Sequence, residues 1–288
     1  MCQAEAPPAH IPRVTIGMPI RNGERFLRTA VESLLVQSFA DFEFIISDNA
    51  STDGTERLCR GYAARDSRIR YVRQPRLLPA VANFQFLLDS AGGEFFMWAA
   101  CDDEWSANFI GDNVAQLNTS PGAVASILPS ANGDDRDPER VGYASVVGED
   151  ARSRIARWVG RPGANARFYS VFRREALAEF DLRKHDYLGG DWSLIAYALT
   201  KGEFVCCPGA IGFRKREEGE SRDVVRLFDS RRRHVVEYVL PYSRFGRYVI
   251  ELCGLHLDII GHLLHLNFEG LRSYWPLRLK QCFKEWAL

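Results

Sequence analysis

The chain has 288 residues, of which 46% are hydrophobic and 12% are aromatic, so it can bury one substantial core, or a core and a smaller appended unit. Its 37 Lys and Arg residues balance 37 Asp and Glu residues, and this balance excludes a strongly basic or acidic protein. Because nothing in the overall charge indicates a nucleic-acid partner, we predict none and argue partners from local residue clusters.

The cysteine pattern and the hydrophobic segments indicate a cytoplasmic protein. Seven cysteines occur without a CxxC pair or the spacing of a zinc site, which is typical of a reduced, intracellular chain. Residues 1–12 lack the pattern of a secretory signal and are predicted to be a flexible N-terminus. The apolar run "YVIELCGLHLDIIGHLLHL" is interrupted by Glu251, Asp258 and three histidines, which argues against a bilayer span.

Strands and helices are predicted to alternate through the first hundred residues. Strand patterns lie at residues 14–18, 42–46, 69–72 and 94–99, and helical periodicity follows each of the first three. Asp53 and Glu56 have the spacing of an N-cap and its capping-box partner for the second helix. This alternation predicts an α/β fold with a mainly parallel sheet flanked by helices.

Polar segments follow three of these strands, at the sheet edge where such folds bind ligands. They are "PIRNGE", "SDNASTDGT" and "CDDEW". No GxGxxG or GxxxxGK[ST] pattern is present, which argues against a dinucleotide-binding fold or a P-loop enzyme. Asp102 and Asp103 are candidate ligands for Mg²⁺ or Mn²⁺ shared with nucleotide phosphates. The alternative is that Asp102 caps a helix and Asp103 is solvated.

Beyond residue 119 the pattern is weaker. No helix is predicted between residues 119 and 163, where "VGYASVVG" resembles a strand. The segment "ARFYSVFRREALAEF" predicts a strand followed by a helix, and "GGDWSLIAYALTKG" predicts a helix with Asp191 at its N-cap and Gly202 past its end. Two short strands are predicted in "EFVCCPGAIGFRKR", and an appended helical unit forms the last sixty residues.

The stretch "VTIGMPIRNGERFLRTAVESLLVQSFADFEFIISDNASTDGTE", followed by "GEFFMWAACDDEW", resembles the N-terminal half of a family 2 glycosyltransferase with the GT-A fold. The resemblance is strong over residues 13–110 and moderate over residues 165–215. It implies an inverting enzyme that transfers a sugar from a nucleotide-diphosphate donor. It also implies a divalent metal, Mn²⁺ or Mg²⁺, held by an acidic motif.

The resemblance assigns the donor site to the first half of the chain. Pro19 and Arg21 match the loop that lies along the nucleotide, and Asn83 matches a retained position of the donor pocket. Asp48 matches the acid that accepts a hydrogen bond from uracil, a role that suits an acceptor-only carboxylate. An Asx turn at the bend between strand and helix is the equal alternative for Asp48.

The acidic motif and the base follow from the same resemblance. Asp103 matches a metal ligand, and Asp102 matches a ligand or a sugar contact. Cys101 stands where relatives carry a third acid, and sulfur is a poor ligand for a hard cation. Asp191 matches the base that accepts the proton of the acceptor hydroxyl. A purely structural N-cap is the alternative for Asp191.

Two further regions are assigned by composition and resemblance. Arg214 and Arg216 lie in a basic run where relatives place a loop over the diphosphate, although a solvated surface is the alternative. Leu77 and Pro79 replace the Asn and Gly that the family often has in the donor loop. The C-terminal run "LRSYWPLRLKQCFKEWAL" is typical of a helix in a membrane interface, and a homodimer contact explains it almost as well.

The predicted organisation is a GT-A domain over residues 13–222, with a nucleotide-binding half at 13–110 and an acceptor half at 111–222, and a C-terminal helical region at 223–288. The predicted function is inverting transfer from a UDP-sugar to a glycan or lipid-linked acceptor in surface polysaccharide synthesis, at the inner face of the membrane. The alternative is a catalytically degenerate nucleotide-sugar-binding or scaffold protein. A nucleotidyltransferase fits least, since no glycine-rich loop follows the first strand.

Overall fold

The structure of the chain is a computed structural model. It describes residues 11–129, 143–163, 165–207, 212–215 and 235–286. The predicted flexible N-terminus therefore lies almost entirely outside the described residues.

A seven-stranded sheet forms the centre of the molecule, and a two-stranded sheet lies beside it. In chain order the strands are β1 (Val14–Ile20), β2 (Phe42–Asp48), β3 (Ile69–Arg73), β4 (Phe95–Trp98), β5 (Asp103–Trp105), β6 (Ala123–Ile127), β7 (Val171–Arg173), β8 (Glu203–Cys206) and β9 (Phe213–Lys215). The large sheet has the order β3-β2-β1-β4-β7-β6-β8, and β5 pairs with β9. Only β7 runs antiparallel to its neighbours in the large sheet, so the prediction of a mainly parallel sheet is confirmed.

The register of the first three strands brings the predicted site segments to one edge. Ile20 of β1 pairs with Asp48 of β2, and Asp48 pairs with Arg73 of β3. Since these strands are parallel, the loops that follow them leave the sheet on the same side. The polar segments after β1, β2 and β4 therefore meet at the carboxyl edge.

Helices cover both faces of the sheet. They are α1 (Leu27–Leu35), α2 (Thr55–Ala63), α3 (Ala80–Asp89), α4 (Phe109–Thr119), α5 (Ala151–Gly160), α6 (Gly190–Lys201), α7 (Ser243–Cys253) and α8 (Leu257–Trp286), with 3₁₀ helices at Asn165–Tyr169, Arg174–Leu177, Leu182–His185 and Val235–Tyr238.

Strand β4 shows why the sheet needs helices on both faces. Phe95 and Met97 belong to one hydrophobic cluster, and Phe96 and Trp98 belong to the other. Successive side chains of a strand point to opposite faces, so a strand with four buried apolar residues must be covered twice. The Trp98 ring stacks on Phe168 with centroids 4.7 Å apart.

A helix lies between residues 119 and 163, where the sequence pattern gave no clear helical signal. Helix α5 occupies part of this segment and buries Ile155, Trp158 and Val159. Its N-cap is Asp150, whose side chain accepts from the Ser153 N–H at 2.7 Å in a capping box. This box carries Ser at its third helical position instead of Glu or Gln, and the usual sequence signature therefore misses it.

Three local predictions also need correction. In the described part of "VGYASVVG", Val146 makes only an isolated bridge to Phe204, because no neighbouring strand extends the pairing. The segment after β7 forms the short 3₁₀ helix Arg174–Leu177 instead of an α-helix. Helix α2 has Gly54 at its N-cap, and Glu56 pairs with arginines at 2.8 and 3.3 Å, so the predicted capping box is absent there.

The C-terminal helices α7 and α8 pack into the same core as the sheet. Phe245 of α7 meets Trp158 of α5 edge to face, with centroids 5.9 Å apart. Val249, Ile259 and Leu263 are buried in the cluster that also contains α6. The helical prediction is confirmed for residues 243–286, but these helices are not a separate appendage, because their apolar faces complete one side of the core.

Candidate active site

The loops that follow β1 and β2 are held together by hydrogen bonds. The Asn22 N–H donates to Ser51 Oγ at 2.9 Å, and Asn22 Oδ1 accepts from the Thr52 N–H at 2.8 Å. The Gly23 N–H donates to Thr55 Oγ1 at 2.9 Å. These hydrogen bonds therefore link the two loops to each other at the carboxyl edge of the sheet.

Asp53 also links these two loops. Its Oδ1 accepts from the Thr55 N–H at 3.0 Å, and its Oδ2 accepts from the Glu24 N–H at 3.1 Å. Burial acts to raise the pKa of Asp53, but the hydrogen bonds from Thr55 and Glu24 lower the pKa below its usual value on balance. Its structural role is therefore supported by geometry, although the N-cap itself is Gly54.

Pro19 and Arg21 lie where the nucleotide is predicted to bind. Pro19 is partly buried and pairs in register with Ser47 of β2. Arg21 is exposed at the end of β1. Both positions are compatible with a ligand at this edge, and their contacts with a nucleotide remain predictions.

Asp48 is fully buried at the end of β2. Its Oδ1 accepts from the Ser51 N–H at 2.8 Å, which is a turn contact at this bend. Its Oδ2 accepts from the Tyr71 hydroxyl at 2.7 Å and from Arg73 Nη1 at 3.0 Å. Each carboxylate oxygen has two lone pairs, so Oδ1 keeps one for a nucleobase N–H. The turn contact is observed in the structure, and the contact with a nucleobase remains a prediction.

Asn83 joins α3 to the end of β2. Its Nδ2 donates to the Ser47 carbonyl at 3.1 Å, and its Oδ1 accepts from Ser47 Oγ at 2.6 Å. The Ser47 hydroxyl also accepts from Gln74 Nε2 at 2.9 Å. Asn83 is 2% exposed, so its observed contacts support the donor loop from inside the protein. Direct contact with a donor remains a prediction.

The loop that carries the family departures Leu77 and Pro79 is well anchored. Asn49 Nδ2 donates to the Leu78 carbonyl at 3.0 Å, and Asn49 Oδ1 accepts from the Leu78 N–H at 2.8 Å. Pro79 is the N-cap of α3. These substitutions are therefore accommodated without loss of the loop.

The acidic pair lies at the start of β5, where Asp102 precedes the strand and Asp103 is its first residue. Asp103 is 5% exposed, and Asp102 is partly buried. Strand β5 pairs antiparallel with β9, and the register sets Asp103 opposite Lys215 and Glu104 opposite Arg214. The backbone of β9 therefore runs directly beside the segment that carries the acidic pair.

The basic run is only partly described. Arg214 has a backbone position in β9, and Arg216 lies outside the described residues. The predicted contact of both with a diphosphate remains a prediction.

Tyr169 marks the place where the acids converge. Burial raises the pKa of its phenol first, and the negative charges of Asp103, Asp102 and Asp191 raise it further. The 3₁₀ helix that ends at Tyr169 contacts both β4, which Asp102 and Asp103 follow, and α6, which carries Asp191. The acids of two distant sequence segments therefore share one region of the structure.

Asp191 is the second residue of α6 and not its N-cap. Gly189 occupies the N-cap with φ of 81°, because the chain turns sharply there. Asp191 Oδ1 accepts from the Trp192 N–H at 2.9 Å, and the first turn of a helix favours its negative charge. Trp192 stacks on Tyr242 at 5.2 Å, and burial, followed by the charge of Asp191, raises the pKa of Tyr242 to about 12.

The acidic pair fits a divalent cation that a substrate would share. Among the described residues, no group of three or more His, Cys, Asp or Glu side chains could hold a metal by itself. Mg²⁺ commonly binds one or two carboxylates together with substrate phosphates, and Asp102 and Asp103 offer such ligands. The Cys101 sulfur beside them does not suit a hard cation.

Comparison with protein families decides the assignment. The family described as "Glycosyl transferase family 2" matches residues 15–181. The chain belongs to this family.

A Campylobacter jejuni GalNAc(5)-diNAcBac-PP-undecaprenol beta-1,3-glucosyltransferase is 29% identical over 139 residues, which cover 48% of this chain and 38% of that protein. Glycosyltransferase GlyG of Streptococcus pneumoniae is 28% identical over 137 residues, covering 48% of this chain and 44% of that protein. The chain thus aligns with less than half the length of these family 2 relatives.

Solved structures confirm the GT-A fold. S. aureus TarS 1–349 in complex with UDP-GlcNAc has a TM-score of 0.68 at 15% identity, over 91% of this chain and 74% of that one. Mannosyltransferase PcManGT from Pyrobaculum calidifontis, in complex with GDP-Man and Mn²⁺, has a TM-score of 0.58 at 18% identity, over 92% of this chain and 76% of that one. At these identities the likeness concerns the fold alone.

Sequence reasoning missed Tyr169 and Tyr242. Both are aromatic residues in segments with mixed apolar patterns, so core packing is the default interpretation of such residues. Their proximity to the acids depends on tertiary packing, and no local pattern in the sequence indicates it.

Proposed function

We propose that this family 2 member is an inverting glycosyltransferase that moves a sugar from a UDP-sugar to a hydroxyl group of a glycan or lipid-linked acceptor in surface polysaccharide synthesis. The observation that carries the proposal is that the 3₁₀ helix ending at Tyr169 contacts both β4, which Asp102 and Asp103 follow, and α6, which carries Asp191, and that all three carboxylates act on the Tyr169 phenol. UDP is the preferred nucleotide because TarS, a structural neighbour, binds UDP-GlcNAc, and the GDP-Man complex of PcManGT makes GDP the second choice.

Asp191 acts as the base in this proposal. Its carboxylate takes the proton of the acceptor hydroxyl while that oxygen bonds to the anomeric carbon. The bond between the anomeric carbon and the diphosphate oxygen breaks on the opposite face, and the configuration inverts. A negative charge in the first turn of α6 stays ionised readily, which suits a proton acceptor.

Asp103 and Asp102 would hold Mn²⁺ or Mg²⁺ in this site. When bound, the cation supplies positive charge to the donor diphosphate. Arg214 and Arg216 are assigned to the same diphosphate, where charge develops as the sugar leaves. Asp48, Pro19 and Arg21 are assigned to the nucleotide.

Transfer assays with Asp191→Asn test the assignment of the base. The amide oxygen can still accept from the Trp192 N–H, so the turn should keep its shape. Transfer should fall about a hundredfold or more while UDP binding is retained. Glu179→Gln is the matched control, because Glu179 is 79% exposed and contacts Lys201 at 3.3 Å at the far end of α6. Equal transfer by the two variants would remove Asp191 from the mechanism.

Thermal shifts with nucleotides test the metal. UDP with Mn²⁺ should raise the melting temperature more than UDP alone, because a ligand that binds only the native state stabilises it. Asp103→Asn should abolish the metal-dependent part of the shift. A UDP shift that is the same with and without Mn²⁺ would refute the metal assignment.

A nucleotide-sugar-binding or scaffold protein without catalysis is the second candidate. Cys101 favours it, since a sulfur stands beside the acidic pair. Calorimetry separates the two functions: metal-dependent UDP binding with turnover supports the enzyme, and binding without turnover supports the second candidate.

Helix α8 is assigned to a membrane surface, where a lipid-linked acceptor would lie. Leu257, Leu264, Phe268 and Trp275 follow each other at helical spacing and are 88%, 57%, 62% and 44% exposed, respectively. An exposed apolar helix face suits a membrane interface. No helix in the described part of the chain has the length and hydropathy to cross a bilayer.

Sedimentation with anionic vesicles tests this assignment. Phe268→Glu should weaken binding, whereas Val36→Glu, at a 67% exposed position on α1's C-cap, should not. If the wild-type protein does not sediment with vesicles, and light scattering shows a dimer that Phe268→Glu converts to a monomer, the exposed face is a homodimer contact.

A further inference from the structure

Three buried side chains form a relay of hydrogen bonds beneath the turn that carries Asp191. His185 Nδ1 lies 2.7 Å from the Tyr187 hydroxyl, and that hydroxyl lies 2.9 Å from Ser193 Oγ. Ser193 Oγ donates to the Gly189 carbonyl at 3.3 Å. His185, Tyr187 and Ser193 are all buried. The relay therefore joins the 3₁₀ helix Leu182–His185 to the N-cap of α6.

The direction of the relay follows from its last acceptor. A carbonyl only accepts, so Ser193 uses its single proton on Gly189 and must accept from Tyr187. Tyr187 then accepts from His185, which places the imidazole proton on Nδ1. Burial lowers the pKa of His185 to about 4, and burial raises the pKa of Tyr187, so both side chains are neutral at neutral pH.

The turn itself leaves little room for movement. The Gly190 N–H donates to the Tyr187 carbonyl at 2.9 Å, and the Ser193 N–H donates to the Gly189 carbonyl at 3.0 Å. A Cβ at Gly190 would overlap the His185 carbonyl oxygen. A backbone this close to its neighbours presents the next residue, Asp191, in one direction.

Arg244 of α7 holds the other side of Tyr187. Its guanidinium carbon lies 4.6 Å from the centroid of the Tyr187 ring, in a cation–π contact. Its Nε lies 4.0 Å from Glu237 Oε1, and Glu237 is 3% exposed. Tyr187 is therefore fixed by its ring and by its hydroxyl.

We propose that Tyr187 is a positioning residue, which holds the first turn of α6 through Ser193 and Gly189 so that Asp191 faces the acceptor hydroxyl. This inference rests on the proposed function, since that function makes Asp191 the base. A displacement of about 1 Å at a reacting group can cost about a hundredfold in rate, so loss of one buried hydroxyl should be visible in catalysis.

Tyr187→Phe tests the role of the hydroxyl, because the ring and its Arg244 contact are kept. The control is Tyr197→Phe on the same helix, whose hydroxyl donates to the exposed Glu179 at 3.3 Å. We expect kcat to fall about tenfold to a hundredfold in Tyr187→Phe, with the donor KM within about twofold, and no change in Tyr197→Phe. Equal kcat in the two variants would overturn the proposal.

A spectroscopic readout separates this proposal from the proposed function. In protein labelled with 5-fluorotryptophan, the ¹⁹F signal of Trp192, assigned with Trp192→Phe, reports on the residue next to Asp191. It should shift or broaden in Tyr187→Phe and stay unchanged in Tyr197→Phe. If wild type transfers no sugar from any nucleotide-sugar, the proposed function fails, and this signal alone decides whether Tyr187 holds the turn.

A second variant tests the proposal in case Tyr187→Phe fails to fold. Ser193→Ala removes the link to Gly189 while keeping a good helix former. It should reproduce the fall in kcat and the change at Trp192 at a temperature well below its own melting temperature. An unchanged Trp192 signal in a folded Ser193→Ala protein would overturn the proposal.

Discussion

Replacing Asp48 by Asn is expected to destabilise the protein even without a ligand. The Asp48 carboxylate accepts from the Ser51 N–H, the Tyr71 hydroxyl and Arg73. An Asn side chain can retain the Ser51 contact through its oxygen. Its NH₂ group then faces Tyr71 and Arg73, which are donors, and a hydrogen bond is lost at a fully buried position.

The magnitude follows from burial on each side of the contact. A hydrogen bond to a charged group contributes about 1.5–3 kcal/mol, and breaking a fully buried ion pair costs about 3–5 kcal/mol. The Arg73 side chain is 34% exposed and recovers part of the loss by hydration. We therefore expect a loss of about 2–3 kcal/mol in the free energy of unfolding, which lowers the melting temperature of a chain of this length by about 3–5 °C.

Thermal unfolding without nucleotide measures this effect, and Glu56→Gln is the control. Glu56 contacts the same Arg73 at 3.3 Å, but its side chain is 37% exposed. Its replacement should change the free energy of unfolding by less than about 1 kcal/mol. If Asp48→Asn and Glu56→Gln have the same melting temperature, the hydrogen bonds that Asp48 accepts add no stability, and the reasoning about its buried carboxylate is refuted.

Three further predictions concern single positions. Gly190→Ala should lower the melting temperature because the added Cβ would overlap the His185 carbonyl oxygen. Gly261→Ala, whose Cβ would have nothing within 4 Å, should raise the free energy of unfolding by up to about 1 kcal/mol. Equal melting temperatures of the two variants would contradict this prediction. Because the folded pKa of Asp53 is lowered, its contribution is present above about pH 4 and lost as the pH falls further, so the stability gap between wild type and Asp53→Asn should shrink there in acid titrations. Burial raises the pKa of Cys59 to about 12, so mass spectrometry should find it alkylated far more slowly at pH 8 than a free thiol, and rapid labelling would contradict its burial.

Most of the first half of the chain could be predicted from the sequence. Strands such as β1 and β4 are short, apolar and bounded by turn residues, and helix α1 has a clear apolar face with Leu27, Val31 and Leu34 buried. Because these signals are local, the parallel pattern also predicted that the segments after the strands share one edge of the sheet. The family 2 motifs lie in the same segments.

The second half of the chain was harder to predict because its structure depends on contacts between residues that are distant in sequence. Helix α5 has an Asp-and-Ser capping box, and strand β7 has only three residues and pairs antiparallel between β4 and β6. Asp191 was expected at an N-cap, but Gly189 takes that place because the turn needs positive φ. The relay through Tyr187 joins residues whose partners a single sequence does not reveal.

The packing of α7 and α8 on α6 has a consequence for biosynthesis. The strands and helices between residues 14 and 119 contact each other extensively, and the ribosome synthesises them first. Arg244 and Phe245, which support the turn at Gly189, are synthesised later. A nascent chain therefore contains the central strands before the turn at Gly189 gains its support from α7.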